Sequence, residues 1–335
     1  MTGRLFAILA FLVAAPSSAQ MLSDMGPPQH RIVHRNTFAL RVNPLGLLYD
    51  GRFAYRFRLF ASEKVALRDN FVAIGIATGA SPAFAKVGGY VEVQPLTVFS
   101  LWATYDVQKY FGTFNLLQSF PSQNSEFSDN TIRELGATGV NFPAFGTTLT
   151  VGANIQLAVG PLVVRTGARF IQPNFPLPNG DTVLYDQFYD LLMPNGRLTF
   201  TNDLDVLYKT NWGLIAGLRY TVGAPFYGPE NLAAGIEPKD NSTHRAGPFI
   251  TYRFWDEDGR AFNQPTIALA LNWWLKHRYR TGTEQSPSLP YIALAFNVVG
   301  DLMPIKKTPQ TPAPEVEVPA PAVVPEPAPK SPEKL

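Results

Sequence analysis

The chain contains no cysteine, so no disulfide and no thiolate metal site can hold it together, and any stability must come from backbone pairing and burial. Charge is also scarce: 16% of the 335 residues are Asp, Glu, Lys or Arg, against about 25% in ordinary soluble domains. That is too little to cover a normal water-facing surface. The net charge is only +2 and no dense Lys/Arg stripe appears, which argues against nucleic acid as a partner. Beyond residue 19 there is no apolar run of the ~18 residues a spanning helix requires. Against these absences stand 24 Phe, 13 Tyr and 5 Trp, which rule out disorder for most of the chain.

The two ends differ from the middle. Arg4, the apolar stretch Leu5 to Ala15 and the small residues Ser17-Ser18-Ala19 form the pattern of a cleaved secretory signal over 1–19, with Gln20 as the first mature residue. Residues 20–35 are expected to form an N-terminal periplasmic segment. From Pro304 to Leu335, prolines alternate with Ala, Val, Glu and Lys and no aromatic occurs. Such a tail cannot bury a core and is expected to be extended or disordered, either simply solvated or docking onto a periplasmic partner.

Between the ends the hydrophobic period is two. In Arg52 to Leu59, Phe53, Tyr55, Phe57 and Leu59 share one face while Arg52, Ala54, Arg56 and Arg58 share the other. Thr148 to Val159 repeats the alternation. Further strands are expected near 36–43, 70–79, 83–94, 96–110, 161–172, 197–208, 211–222, 247–256, 266–277 and 289–299. Most are ten to fourteen residues long, enough for a tilted strand to cross a hydrocarbon layer, which takes about 9–11. Short turn signals (Gln94-Pro95, Gly160-Pro161, Lys209-Thr210-Asn211) contrast with long polar loops at 112–130, 173–196, 223–245 and 278–288. Tyr49, Tyr110, Phe111, Tyr220, Phe226, Trp255 and Tyr279 fall near strand ends, where a membrane interface favours amphipathic rings.

A bilayer offers no water to unpaired backbone groups, so a sheet inside it must close on itself. The expected fold is therefore all-β, an antiparallel up-and-down transmembrane barrel over 36–303. Twelve strands follow if 131–146 extends the strand after it; fourteen follow if that segment and 181–193 each contribute one. Twelve is the reading adopted. With its signal, alternating strands and sorted loops, the chain resembles Gram-negative outer-membrane β-barrel proteins across about 30–303. Its tail resembles the Pro/Ala-rich linker after the barrel of outer-membrane protein A. The resemblance implies location in the outer membrane, contact with its lipid and a tail in the periplasm.

Charged side chains at the lipid midplane cost roughly 2–4 kcal/mol, so the strand charges are assigned inward. The cationic set is Arg41, Arg52, Arg56, Arg58, Lys86, Arg165, Arg169, Arg219, Arg253 and Lys276, and the acidic set Glu92, Asp106, Asp203 and Asp205. Ten against four makes the expected interior net positive. Either this lumen is open and passes small anionic solutes, or the charges pair within a packed, non-conducting wall that serves a structural or interaction role.

Chemistry is harder to find. Ser242 and His244, near Asp240 and Arg245, have a Ser-x-His spacing similar to that of outer-membrane lipid hydrolases, yet it is short, common and expected in a loop. Asp203 and Asp205 share a strand face and are read as ion-pair partners rather than an acid/base pair. Asp256-Glu257-Asp258-Gly259 lacks the ligand spacing of a calcium loop, Gly88-Gly89 opens no helix, and His277 is expected in a loop or at an interface. No cofactor, no metal and no enzymatic activity are expected.

Overall fold

The computed structural model describes residues 29–113, 117–257 and 260–303. The expected signal (1–19), most of the N-terminal segment and the tail (304–335) lie outside the described residues. In chain order the elements are β1 (His30–Val42), β2 (Gly46–Phe57), α1 (Val65–Arg68), β3 (Phe71–Ala80), β4 (Phe84–Leu96), β5 (Phe99–Tyr110), β6 (Ser119–Phe120) and α2 (Asp129–Ala137). They continue as β7 (Ala144–Val159), β8 (Leu162–Asn174), β9 (Val183–Asp186), β10 (Leu191–Pro194), β11 (Thr199–Lys209), β12 (Leu214–Pro225), β13 (Thr243–Arg253), β14 (Asn263–Lys276) and β15 (Tyr291–Asp301).

Twelve of these strands close a barrel in the order β1-β15-β14-β13-β12-β11-β8-β7-β5-β4-β3-β2, every neighbour antiparallel. The seam pairs Val33 with Asp301 and Val42 with Ile292. The fourteen-strand alternative fails on two segments. Residues 129–137 form a capped helix and wall strand β7 starts only at Ala144, while 183–186 pairs with 191–194 on one side and with β6 on the other in a separate three-stranded sheet. The wall also begins earlier than expected: β1 starts at His30, so 30–35 belong to the barrel rather than to the preceding segment.

Strand alternation sorts the residues by face. Phe38, Leu40, Leu47, Ile74, Ile76, Val87, Val91, Leu218, Leu269 and Leu294 point outward and are exposed. Ala54, Ala73, Ala77, Trp102, Asp106, Asp205, Phe249 and Ala270 point inward and are buried. A water-soluble protein has the reverse polarity, and an apolar belt running round every strand of a closed sheet is the surface a bilayer demands. Tyr208, Trp212, Tyr252, Phe254, Trp255 and Phe262 ring the outside near the ends of β11, β13 and β14, with Trp212–Tyr252 centroids 6.2 Å apart and Tyr252–Phe254 5.1 Å apart. Two rings expected in such a belt turn elsewhere. Tyr110 packs inward against Leu117 and Phe175, and Tyr279 is buried against Phe127.

The connections are sorted as well. Both described ends, His30 and Asp301, lie on one rim with the turns 97–98, 160–161 and 210–213, the loop 254–262 and the longer 58–70, which carries α1. The opposite rim has the four longest connections, 111–143, 175–198, 226–242 and 277–290, together with the short turns 43–45 and 81–83. Inside, small residues make room for large ones on adjacent strands. Gly152 of β7 lies beneath the Trp102 indole of β5, where a Cβ would collide with the ring. Gly152→Val is expected to push Trp102 off its seat and to cost about 1–3 kcal/mol, the usual range for overpacking. A lower temperature for loss of the folded, faster-migrating band on detergent gels would record it; an unchanged temperature would contradict this packing.

Candidate functional site: the barrel interior

Four cation-bearing clusters line the lumen. At its centre Asp205 of β11 stands directly opposite Arg165 of β8 on one side and Arg219 of β12 on the other. Its carboxylate accepts from Arg165 Nε at 2.6 Å and from Arg219 Nε at 2.7 Å and Nη2 at 2.9 Å. Phe249 of β13 lies under both guanidiniums, 3.8 Å from Arg219 and 5.4 Å from Arg165. Two residues along β11, Asp203 accepts from Arg169 at 3.3 Å and from the Thr221 hydroxyl at 2.7 Å. Across the barrel, Lys86 of β4 donates to the buried Asp106 of β5 at 3.0 Å. These central acids are thus committed to cations, and the mid-lumen is a band of paired and stacked side chains.

The last cluster lies at the rim that carries both described ends. Arg52 rests against Trp102 at 4.3 Å and Tyr90 at 5.0 Å, Arg56 lies over Phe71 at 3.8 Å, and Glu92 accepts the Tyr90 hydroxyl. Arg31 and Arg35 of β1 join them around one cavity of about 270 Å³. Reading the strand from residue 36 leaves these two arginines out, although Ile32 alternating with Arg31, Val33 and Arg35 carries the same period-two signal. Arg58 sits one residue past β2, with its backbone N–H bonded to Gln29. Arg253 pairs with Asp256 at 2.7 Å at the same rim. Lys276 joins Asp240 at the other.

The opposite mouth is filled by its own loops. Strands β9 and β10 form a hairpin buried on both faces: Leu184, Leu191 and Met193 pack on the inward residues Tyr110, Ala144 and Ile171, while Val183, Tyr185 and Leu192 pack on α2 and Tyr279. The hairpin leaves from β8, and its tip meets β1, where Arg41 donates to the carbonyls of Gln187 and Phe188. In a ring of twelve, β8 and β1 are six places apart, so this hairpin spans the full width of the lumen.

A buried latch holds it. Asp190 receives Arg280 and the Tyr185 hydroxyl, His277 lies 3.3 Å away, and Arg280 reaches on to Asp129 at 2.9 Å. Burial would raise the Asp190 carboxyl, but His277 and Arg280 outweigh it and hold it well below the usual carboxylate range. Glu284 accepts the backbone N–H groups of Asp129 and Asn130, both at 2.8 Å, satisfying the free donors that begin α2. Arg278 donates to the carbonyls of Asn124 at 2.9 Å and Ser125 at 2.8 Å.

No catalytic arrangement emerges at the Ser-x-His pair. His244 stands on β13 rather than in a loop, its ring bonded to the Tyr220 hydroxyl at 2.5 Å, while the Ser242 N–H is taken by Asp240. Among the described residues no cluster of His, Asp and Glu has the grouping of a metal site.

No family model matches the chain, and no curated protein matches it. Among solved structures, OccAB1 of Acinetobacter baumannii is 12% identical over 76% of this chain, with a TM-score of 0.36. The chain spans only 58% of the length of OccAB1. The translocator domain of autotransporter NalP from Neisseria meningitidis is 12% identical, over 82% of this chain and 89% of that one, with a TM-score of 0.36. The outer membrane protein OprD from Pseudomonas aeruginosa is 9% identical, over 84% and 95% respectively, with a TM-score of 0.28. These are similarities between barrels, at values too low to carry any property from one protein to another.

Proposed function

We propose that this chain is an outer-membrane barrel that passes small anionic solutes, with the hairpin β9–β10 as the element that closes its loop-bearing mouth. The observation that carries this reading is the inversion of polarity: hydrocarbon-compatible side chains face out, and a surplus of guanidinium groups faces a lumen cavity. Paired charges such as Lys86–Asp106 need no solute, but the Arg35, Arg52 and Arg56 group outnumbers the acids around it. Such a site raises the local concentration of anions by Coulomb attraction in a low-dielectric setting. The first and last wall strands begin and end on the rim away from the four longest loops, so that rim is assigned to the periplasm and those loops to the outside.

Planar-bilayer recording of the purified full-length protein tests the reading. Under a salt gradient the reversal potential should report anion preference, and joint Arg35→Gln, Arg52→Gln and Arg56→Gln substitution should move it toward zero selectivity. A preference for cations that ignores those substitutions would sink it.

The hairpin across the lumen favours a second reading, a closed barrel with a structural or interaction role whose tail, 304–335, meets a periplasmic partner. Absence of conductance both in the full chain and after replacement of 183–194 by a short Gly/Ser linker would favour it. So would an altered envelope, with barrel assembly intact, on removal of 304–335.

A further inference from the structure

Residues of like charge stand directly opposite one another twice on the inner face of β1 and β2: Arg31 opposite Arg56, and Arg35 opposite Arg52. Opposed residues of an antiparallel pair have Cβ atoms about 4.5–5.5 Å apart, and like charges there are destabilising. The neighbouring acids relieve this only in part. Asp301 accepts from Arg31 at 2.7 Å, Asp50 lies 4.0 Å from Arg52, and Glu92 faces Arg56 from β4 while accepting the Tyr90 hydroxyl. The Arg56 Nε is buried without an acceptor. Phe71 supports the face of Arg56, and Trp102 and Tyr90 support that of Arg52, which leaves the donor edges of both side chains for the cavity they line.

We infer that this cavity is a binding site for a soluble phosphate-type dianion, inorganic phosphate or a small phosphate monoester. Planar forks held by aromatic faces are the geometry that takes tetrahedral oxyanions through paired N–H donors. A water molecule accounts for about 30 Å³ of liquid, so the cavity of about 270 Å³ has room for a phosphate with a small substituent. The arginines project into the lumen while the lipid belt lies on the other face of the same strands, so a lipid headgroup has no direct approach. The inference rests on the reading of the lumen as an anion path and names the solute class that path would hold.

Equilibrium dialysis of radiolabelled inorganic phosphate against the full-length protein in neutral detergent tests it. One saturable site is expected, weakened at least tenfold by the double substitution R35Q/R52Q and unaffected by Arg133→Gln on the exposed side of α2. Absence of saturable binding, or binding undiminished in R35Q/R52Q, overturns the site. Displacement of the label by phosphatidylglycerol vesicles as effectively as by free phosphate overturns a soluble occupant. Should R35Q/R52Q fail to fold, Glu92→Gln decides instead: removing the carboxylate that faces Arg56 should tighten phosphate binding severalfold, and unchanged or weaker binding refutes the assignment. Conductance without phosphate binding would remove the site and leave the channel; binding without conductance would do the reverse.

Discussion

Joint replacement of Arg165 and Arg219 by alanine should destabilise the barrel by about 3–5 kcal/mol, the usual cost of leaving a buried charge without its partner. The stranded group is Asp205, 1% exposed, whose carboxylate is otherwise enclosed between β8 and β12. Asp205→Ala should cost less. It leaves two guanidiniums that are 39% and 21% exposed to the lumen, still seated on Phe249 and within reach of water. The temperature at which the folded band is lost on detergent gels should therefore fall further for R165A/R219A than for D205A. The reverse order, or equal small shifts, would mean that the central triad does not hold the wall together.

Arg280→Ala should open the loop-bearing mouth without unfolding the barrel. Arg280 and Asp190 are 3% and 2% exposed, and the guanidinium also ties Asp129 of α2 to the hairpin. Removing it leaves the buried Asp190 carboxylate without its guanidinium, with the His277 ring 3.3 Å away, at a local cost again of about 3–5 kcal/mol. Limited proteolysis should then cut within 111–143 and 277–290, and bilayer recordings should show a higher mean conductance, with longer open events, than the parent protein gives. Persistent protection of both loops would contradict the latch.

The same latch fixes the sign of a pH dependence. The folded Asp190 carboxyl is held below its unfolded value, so its stabilisation is complete above about pH 3.9 and fades as pH falls through the lower folded value. The cap is expected to stay closed at pH 5 and to loosen only in stronger acid. Arg280→Lys, which keeps a positive charge near Asp190 but loses the guanidinium fork, should move that loosening to milder acid. Protease sensitivity of the loops across pH 2–6 would reveal a shift in the other direction and reject the argument.

Twelve wall strands were legible because lipid outside and charge inside impose a strict period of two, as in Phe53, Tyr55 and Phe57 against Arg52, Ala54 and Arg56. The first turns of β1 were not, since His30, Arg31, His34 and Arg35 read as a solvated segment until their alternation with Ile32 and Val33 is set against a partner strand. The hairpin was hidden for the opposite reason. Val183-Leu184-Tyr185 and Leu191-Leu192-Met193 are apolar at every position because both faces are buried, and such runs carry no periodicity from which to choose a place. Helix α2 did leave a mark: Ser128 accepts from the Thr131 N–H as its N-cap, and Ile132 and Leu135 fall three apart on its packed side. Which arginines share a cavity depended on register across β1 and β2, and one sequence does not specify that pairing.

The wall closes by joining residues some of the farthest apart in the described chain, Val33 to Asp301. Until β15 arrives, β1 and β14 each present a row of bare amides and carbonyls that hydrocarbon cannot solvate. Insertion therefore cannot proceed strand by strand to a stable intermediate as the polypeptide emerges. Closure needs the last strand, and a stop codon inside β15 should abolish assembly of the barrel even though eleven complete wall strands precede it.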